Sequence, residues 1–251
     1  MTRARLIVNP DAGTDRATSL LPLVNARLRS LVEEVDVTVT ISGDDVEQAA
    51  ARTLSEGCDA LFVAGGDGTL NRVLRGLMGA DGRMPAMPIG VVPTGTGNDF
   101  VKALGLGESV EPALDALADP HLVDVDIGTM NGVPFINASA GGFVADVSDA
   151  VTGRLKDTTG KLAYLIGGAR ALLGSEPFAA RIAMAGGAGD LPGSLAGSQD
   201  LRMFAVSNAR FIGGGYPIAP GAVIDDGLLD VLVVPHLPTL EFVGVLQRIA
   251  A

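Results

Sequence analysis

In the first part of the chain, short continuous apolar runs alternate with stretches in which apolar residues recur every third or fourth position. Residues 5 to 8, Val37 to Ile41, Ala60 to Ala64 and Pro88 to Val92 are brief and rich in β-branched residues, as strands buried on both faces require. Between them come Leu21, Val24, Leu28, Leu31 and Val32, then Val46, Ala49, Ala50 and Leu54, then Leu70, Val73, Leu74 and Leu77. Each set keeps the period of a helix with one apolar face. Ser42-Gly43-Asp44-Asp45 reads as an N-cap for the second helix, and a further helix is expected from about Phe100. This alternation predicts an α/β unit built on an open, mostly parallel, doubly wound sheet.

From residue 121 onward the period falls to two. Val123, Val125 and Ile127 alternate with Asp124, Asp126 and Gly128, as in a half-buried strand. Met130-Asn131-Gly132-Val133 is a hairpin signal before Pro134 to Asn137. Further strands are expected over Phe178 to Met184, Leu201 to Ser207 and Leu228 to Val234, with helices near Leu162 to Leu173 and from Leu240, and a Gly/Ala/Ser-rich loop over Ala185 to Ser198. The pattern predicts two domains, an α/β unit over residues 1–120 and a mostly antiparallel β unit over 121–251.

The polar and glycine-rich loops of the first unit gather at the carboxyl ends of its strands, where ligands bind in such folds. They are Asn9-Pro10-Asp11-Ala12-Gly13, Gly65-Gly66-Asp67-Gly68-Thr69 and Pro93-Thr94-Gly95-Thr96-Gly97-Asn98-Asp99, with Thr40 closing the second strand at the same edge. Glycines there admit close approach to the backbone, and the helix that follows offers N–H groups to an anion. A carboxylate at Asp67 would repel phosphate, so it points to work through Mg²⁺, through water or on an attacking hydroxyl. Taken alone, the loop reads equally well as a tight turn with a solvated Asp favoured by the helix dipole. Neither G-x-x-x-x-G-K-[ST] nor G-x-G-x-x-G after the first strand is present, which argues against a P-loop NTPase and a Rossmann dehydrogenase.

Composition narrows the classes. With 18 Lys and Arg against 29 Asp and Glu, the net charge of −11 counts against nucleic-acid binding and against electrostatic docking on an anionic membrane. The single cysteine, Cys58, allows no internal disulfide and suits a reducing compartment. His121 and His236 lie far apart, so a histidine metal centre has no support. No apolar run reaches the length of a transmembrane segment, and no secretory signal is visible.

Val8-Asn9-Pro10, Gly65-Gly66-Asp67-Gly68-Thr69 with Asn71, and Pro93-Thr94-Gly95-Thr96-Gly97-Asn98-Asp99-Phe100 together resemble the diacylglycerol kinase catalytic-domain family in its bacterial lipid-kinase form. The G-G-D-G-T loop is shared with NAD kinases and phosphofructokinase-like enzymes; the G-T-G-N-D-F segment selects the lipid kinases. The resemblance implies ATP- and Mg²⁺-dependent phosphorylation of a lipid hydroxyl. It also implies a β-sandwich behind the nucleotide domain. By position it implies a nucleotide site at Asn9, Pro10, Asp11, Ala12, Gly13, Thr40, Gly65, Gly66, Asp67, Gly68, Thr69, Leu70, Asn71 and Thr96, with Asp67 reaching the metal and phosphates. For Asp226 it implies Mg²⁺ binding aided by the carbonyls of Val223 and Leu228, although the segment alone reads as an Asp-Gly turn. Members of the family continue past the point matching Ala251 into a strand with an acidic pair that includes the proton acceptor, so the β domain is expected to be incomplete here. The expected setting is cytoplasmic and peripheral, with a lipid met at the membrane surface and a second copy of the chain as the candidate assembly partner. The competing readings are an NAD-kinase-like enzyme with a soluble acceptor and a nucleotide-binding fragment without catalysis.

Overall fold

In the computed structural model, which describes residues 2–10, 16–107, 109–151, 176–182 and 197–250, the first half of the chain does alternate strand and helix. Its elements are β1 (Arg3–Val8), α1 (Arg16–Leu28), β2 (Glu34–Val39), α2 (Gly43–Ser55), β3 (Ala60–Gly65), α3 (Asp67–Leu77), β4 (Ile89–Pro93), α4 (Asp99–Ala103) and α5 (Val110–Ala118). The four strands are parallel in the order β2-β1-β3-β4. β1 and β3 are therefore interior, which is why Leu6 to Val8 and Ala60 to Gly65 are continuously apolar, while Arg5 of β1 is buried in an ion pair with Glu56. On one face Leu6, Val8 and Phe62 meet Val24 and Leu28 of α1 and Leu114 of α5. On the other, Ile7, Leu61 and Val63 meet Val46 and Ala49 of α2 and Leu70 and Val73 of α3.

Several boundaries differ from the sequence reading, three of them instructively. β2 runs from Glu34 to Val39 instead of Val37 to Ile41, because its pairing starts opposite Arg3, and Ile41 projects into solvent. α1 ends at Leu28; Leu31 and Val32 keep the apolar period because a tight turn, with both N–H groups on the Leu28 carbonyl, folds them back toward the same core. The helix near Phe100 is short and is followed by Gly105, in the left-handed region at φ +76°.

The second half contains the hairpin of β5 (Gly128–Met130) and β6 (Val133–Phe135), then β7 (Ala138–Gly142), α6 (Phe143–Val151), β8 (Phe178–Ile182), β9 (Gly197–Ser207), β10 (Asp230–Pro235) and α7 (Thr239–Ala250). Asn131 and Gly132 turn the hairpin with φ of 52° and 77°, the conformation that the Asn-Gly pair predicts. β7, β8 and β10 all pair antiparallel with β9. Phe143, Met203, Val234 and Phe242 form the core of this sheet, the two phenyl rings edge to face at 5.0 Å.

The strand expected over Val123 to Ile127 is absent. Val125 and Ile127 do pack against the α2/α3 core, so the alternation reports burial, but the backbone bonds of this segment go elsewhere: Asp126 N–H donates to the Ile224 carbonyl at 2.8 Å. The expected helix at Leu162 to Leu173, most of the Ala185 to Ser198 loop and the last two residues of the Phe178 to Met184 strand lie outside the described residues.

Candidate active site

The loops after β1, β3 and β4 meet at one edge of the parallel sheet. Asn9 N–H donates to the Ala64 carbonyl at 3.0 Å, and its amide group donates to Thr69 Oγ1 at 2.9 Å. Thr94 N–H donates to the Gly65 carbonyl at 3.1 Å. The β3 and β4 loops touch through glycine: a Cβ built on Gly95 would lie 2.5 Å from Gly66 Cα. Only hydrogen fits there, and the contact brings the start of α3 beside the start of α4. Asn98, in the left-handed conformation at φ 50°, makes the turn into α4 and donates its amide to the Gly95 carbonyl at 2.8 Å.

Asp67 lies in the first turn of α3, where the helix dipole favours a negative charge. Both carboxylate oxygens are held. Asp99 N–H donates to Oδ2 at 3.0 Å, while Phe100 N–H and the Asn137 amide each donate to Oδ1 at 2.9 Å. Asp99 is itself buried, receives Gly214 N–H at 2.9 Å, and has Lys102 Nζ 3.5 Å from its other oxygen. Burial raises the Asp99 carboxyl above the ordinary aspartate range; the Gly214 N–H opposes the rise and the Asp67 charge adds to it. Two carboxylates thus face one small space beside Gly97, a residue whose Cβ would lie 3.2 Å from an Asp67 oxygen and 3.6 Å from an Asp99 oxygen.

The other residues of the expected nucleotide site fall into distinct roles. Thr40 is buried and donates its hydroxyl to the Val8 carbonyl at 3.2 Å, so it ties β2 to β1 at the same edge. Gly65 ends β3, Gly66 makes the turn and Gly68 lies in the first turn of α3; Thr69 is buried beside them, and the Leu70 side chain belongs to the core. Pro10 follows Asn9 off the end of β1, Thr96 is exposed at the tip of the β4 loop, and Asp11, Ala12 and Gly13 lie outside the described residues. Asn71, one turn along α3 from Asp67, accepts Ile136 N–H at 3.2 Å and so contacts the second half of the chain.

Val223, Asp226 and Leu228 lie on an exposed turn before β10. Asp226 Oδ1 accepts Leu228 N–H at 2.9 Å, and Gly227, at φ +74°, donates its N–H to Asp126 Oδ2 at 2.6 Å. The Asn208 amide then bridges the carbonyls of Asp126 at 2.7 Å and Ile136 at 3.0 Å. The Asp226 turn is therefore joined by successive hydrogen bonds to the segment that carries Asn137 onto Asp67. No group of three or more His, Cys, Asp or Glu able to hold a metal occurs among the described residues, so any ion here would rely on backbone carbonyls and water.

Sequence reasoning assigned no role to Asn137, Gly214 or Lys102. A triple glycine at 213–215 was the available signal for the second of these; Asn137 sits in a segment that reads only as a strand.

Residues 3–130 match the family model for the diacylglycerol kinase catalytic domain, and residues 138–251 match that for the YegS C-terminal NAD kinase beta sandwich-like domain. A diacylglycerol kinase of Bacillus subtilis (strain 168) is 31% identical over 98% of this chain and 78% of its own length. One of Staphylococcus carnosus (strain TM300) is 34% identical over 92% of this chain and 72% of its own. In fold, a crystal structure of a diacylglycerol kinase from Bacillus anthracis str. Sterne matches with a TM-score of 0.72 at 23% identity, covering 98% of this chain and 78% of that one.

Proposed function

This chain belongs to the diacylglycerol kinase catalytic-domain family and is a lipid kinase, and on that premise we propose that it moves the γ-phosphoryl group of ATP, with Mg²⁺, onto the hydroxyl of diacylglycerol or a related lipid. The observation that supports the donor assignment is the convergence of Asp67 and Asp99 with the glycine contact of Gly66 and Gly95 at the carboxyl edge of the sheet. Backbone amides and a helix start can receive phosphate oxygens, and phosphoryl transfer depends mainly on positioning and charge stabilisation. Two carboxylates at such a place oppose phosphate unless a cation lies between them.

The residues present fit that cation. Thr94 Oγ1, Asn98 Oδ1 and Asn137 Oδ1 are buried around the same loops without a hydrogen-bond partner among the described residues, and hard oxygen donors of this kind suit Mg²⁺ and its waters. The Asp226 carboxylate with the Val223 and Leu228 carbonyls offers a second oxygen-only set, open to solvent. Mg²⁺, when bound, supplies neutralisation of phosphate charge. In this reading residues 1–120 hold the nucleotide and residues 121–251 present the lipid. No helix among the described residues is long and apolar enough to cross a membrane; in this reading the lipid is met at the membrane surface.

The test is transfer of label from γ-labelled ATP to diacylglycerol, phosphatidylglycerol or a long-chain base in mixed micelles, with NAD as a soluble acceptor in parallel. Label should enter a lipid, disappear with EDTA, and fall by about a hundredfold or more in Asp67→Asn. Labelling of NAD alone would move the protein to the NAD kinases. ATP-induced thermal stabilisation without any labelled product would leave only a nucleotide-binding module.

A further inference from the structure

Of the three donors that hold the Asp67 carboxylate, two come from its own half of the molecule: the N–H groups of Asp99 and Phe100 at the start of α4. The third, the Asn137 amide at 2.9 Å from Oδ1, comes from the second half. Asn137 is only 7% exposed and is fixed by its own backbone, whose carbonyl accepts Asn208 N–H at 2.7 Å and Ala209 N–H at 3.0 Å. Its neighbour Ile136 is held to Asn71 Oδ1 at 3.2 Å and, through its carbonyl, to the Asn208 amide at 3.0 Å. With its backbone so fixed, the Asn137 amide reaches Asp67 Oδ1 from a set direction and adds a third hold to those of the Asp99 and Phe100 N–H groups.

We propose that Asn137 is a positioning residue for phosphoryl transfer: it sets the orientation of Asp67 from across the two halves, so that the acid is correctly aimed only when the β half is docked on the nucleotide half. The assignment rests on the kinase reading above for its consequence in rate, but not for its geometry. An amide N–H directed at a carboxylate oxygen fixes which lone pairs remain available, and a misdirected group near a reacting centre costs about a hundredfold in rate. The amide oxygen of Asn137, buried and without a partner among the described residues, adds an acceptor beside the held acid.

The experiment compares Asn137→Ala and the isosteric Asn137→Asp with the wild type in the lipid-labelling assay, with folding checked by circular dichroism and melting temperature. Asn137→Ala should lower kcat by about tenfold to a hundredfold with little change in the KM for ATP. Asn137→Asp keeps the volume but replaces the donor by a carboxylate facing a carboxylate, and should be at least as damaging; full activity in either folded variant overturns the proposal. A double-mutant cycle with Asp67→Ala supplies a readout that a merely structural role would not move. Once Asp67 is gone, Asn137→Ala should cost nothing further in kcat, and additive losses overturn the assignment. If the wild type labels no lipid, the reaction reading fails on its own. The crystal structure of Asn137→Ala then decides: an Asp67 carboxylate turned from its present direction upholds the positioning role, and an unmoved one overturns it.

Discussion

Asp59 shows how much one exposed side chain can organise. Its Oδ2 accepts the N–H groups of Thr2 at 2.7 Å and Arg3 at 3.1 Å, just where β1 begins beside β3. The backbone bonds from Arg3 and Thr2 hold its carboxyl below the ordinary aspartate value. A depressed folded-state value means that the ionised form is preferred by the native state. The resulting stability is present above the unfolded value and is lost as pH falls through the folded one. Asp59→Asn should therefore flatten the decline in melting temperature below about pH 4, while lowering stability modestly at neutral pH. Parallel thermal melts at pH 3 to 7 check this, and an unchanged pH dependence contradicts it. At this scale the position of Asp67 was legible, because a buried strand, two glycines and a helical period confine it to the strand-to-helix junction at the carboxyl edge of the sheet. Asn137 was not. Its local sequence fixes only extended backbone, and its partner is 70 residues away in the chain.

At the scale of elements, α1 to α3 and the interior strands of the first half follow from apolar spacing, since each element's period is set by a core on one or both faces, whereas α5 was not foreseen. Edges and ends were read less well. β2 lies at the edge of its sheet, with Val39 half exposed, so its apolar run marks no buried strand and its limits come from pairing with β1. Residues 121–127 show the converse, with a two-residue alternation that buries side chains without a ladder. In the second sheet, α7 is anchored by Phe242, fully buried, edge to face with Phe143 and 5.5 Å beneath the Arg202 guanidinium. Phe242→Ala should lower unfolding stability by about 3 to 5 kcal/mol, the usual cost of emptying a closed aromatic site. Chemical denaturation measures it, and a loss under about 1 kcal/mol would mean that α7 contributes little to this core.

For the molecule as a whole, the strongest electrostatic fact is the charge of −11. On the reading that the lipid is met at a membrane surface, a chain with this balance would be repelled by an anionic one, and the encounter would rest on local apolar contact. Turnover on vesicles rich in anionic lipid should rise as salt is added up to about 0.15 M, where screening acts within roughly 8 Å, and should change little on neutral vesicles. A fall with salt on anionic vesicles would instead reveal a local basic docking patch. That an α/β unit precedes an antiparallel one was legible from the change of period along the chain. How they join was not, because the join is made by single polar side chains whose partners no periodicity encodes.

That join has a mechanical corollary. Asp67 and Asn71 sit on successive turns of one helix and grip the adjacent residues Asn137 and Ile136 in the bend between β6 and β7, like two rivets through the same pair of plates. Two rivets forbid the swivel that one would permit. If the two halves part to admit a bulky greasy molecule, gaping at the far rim spares both fastenings, whereas opening at the seam itself must shear them together.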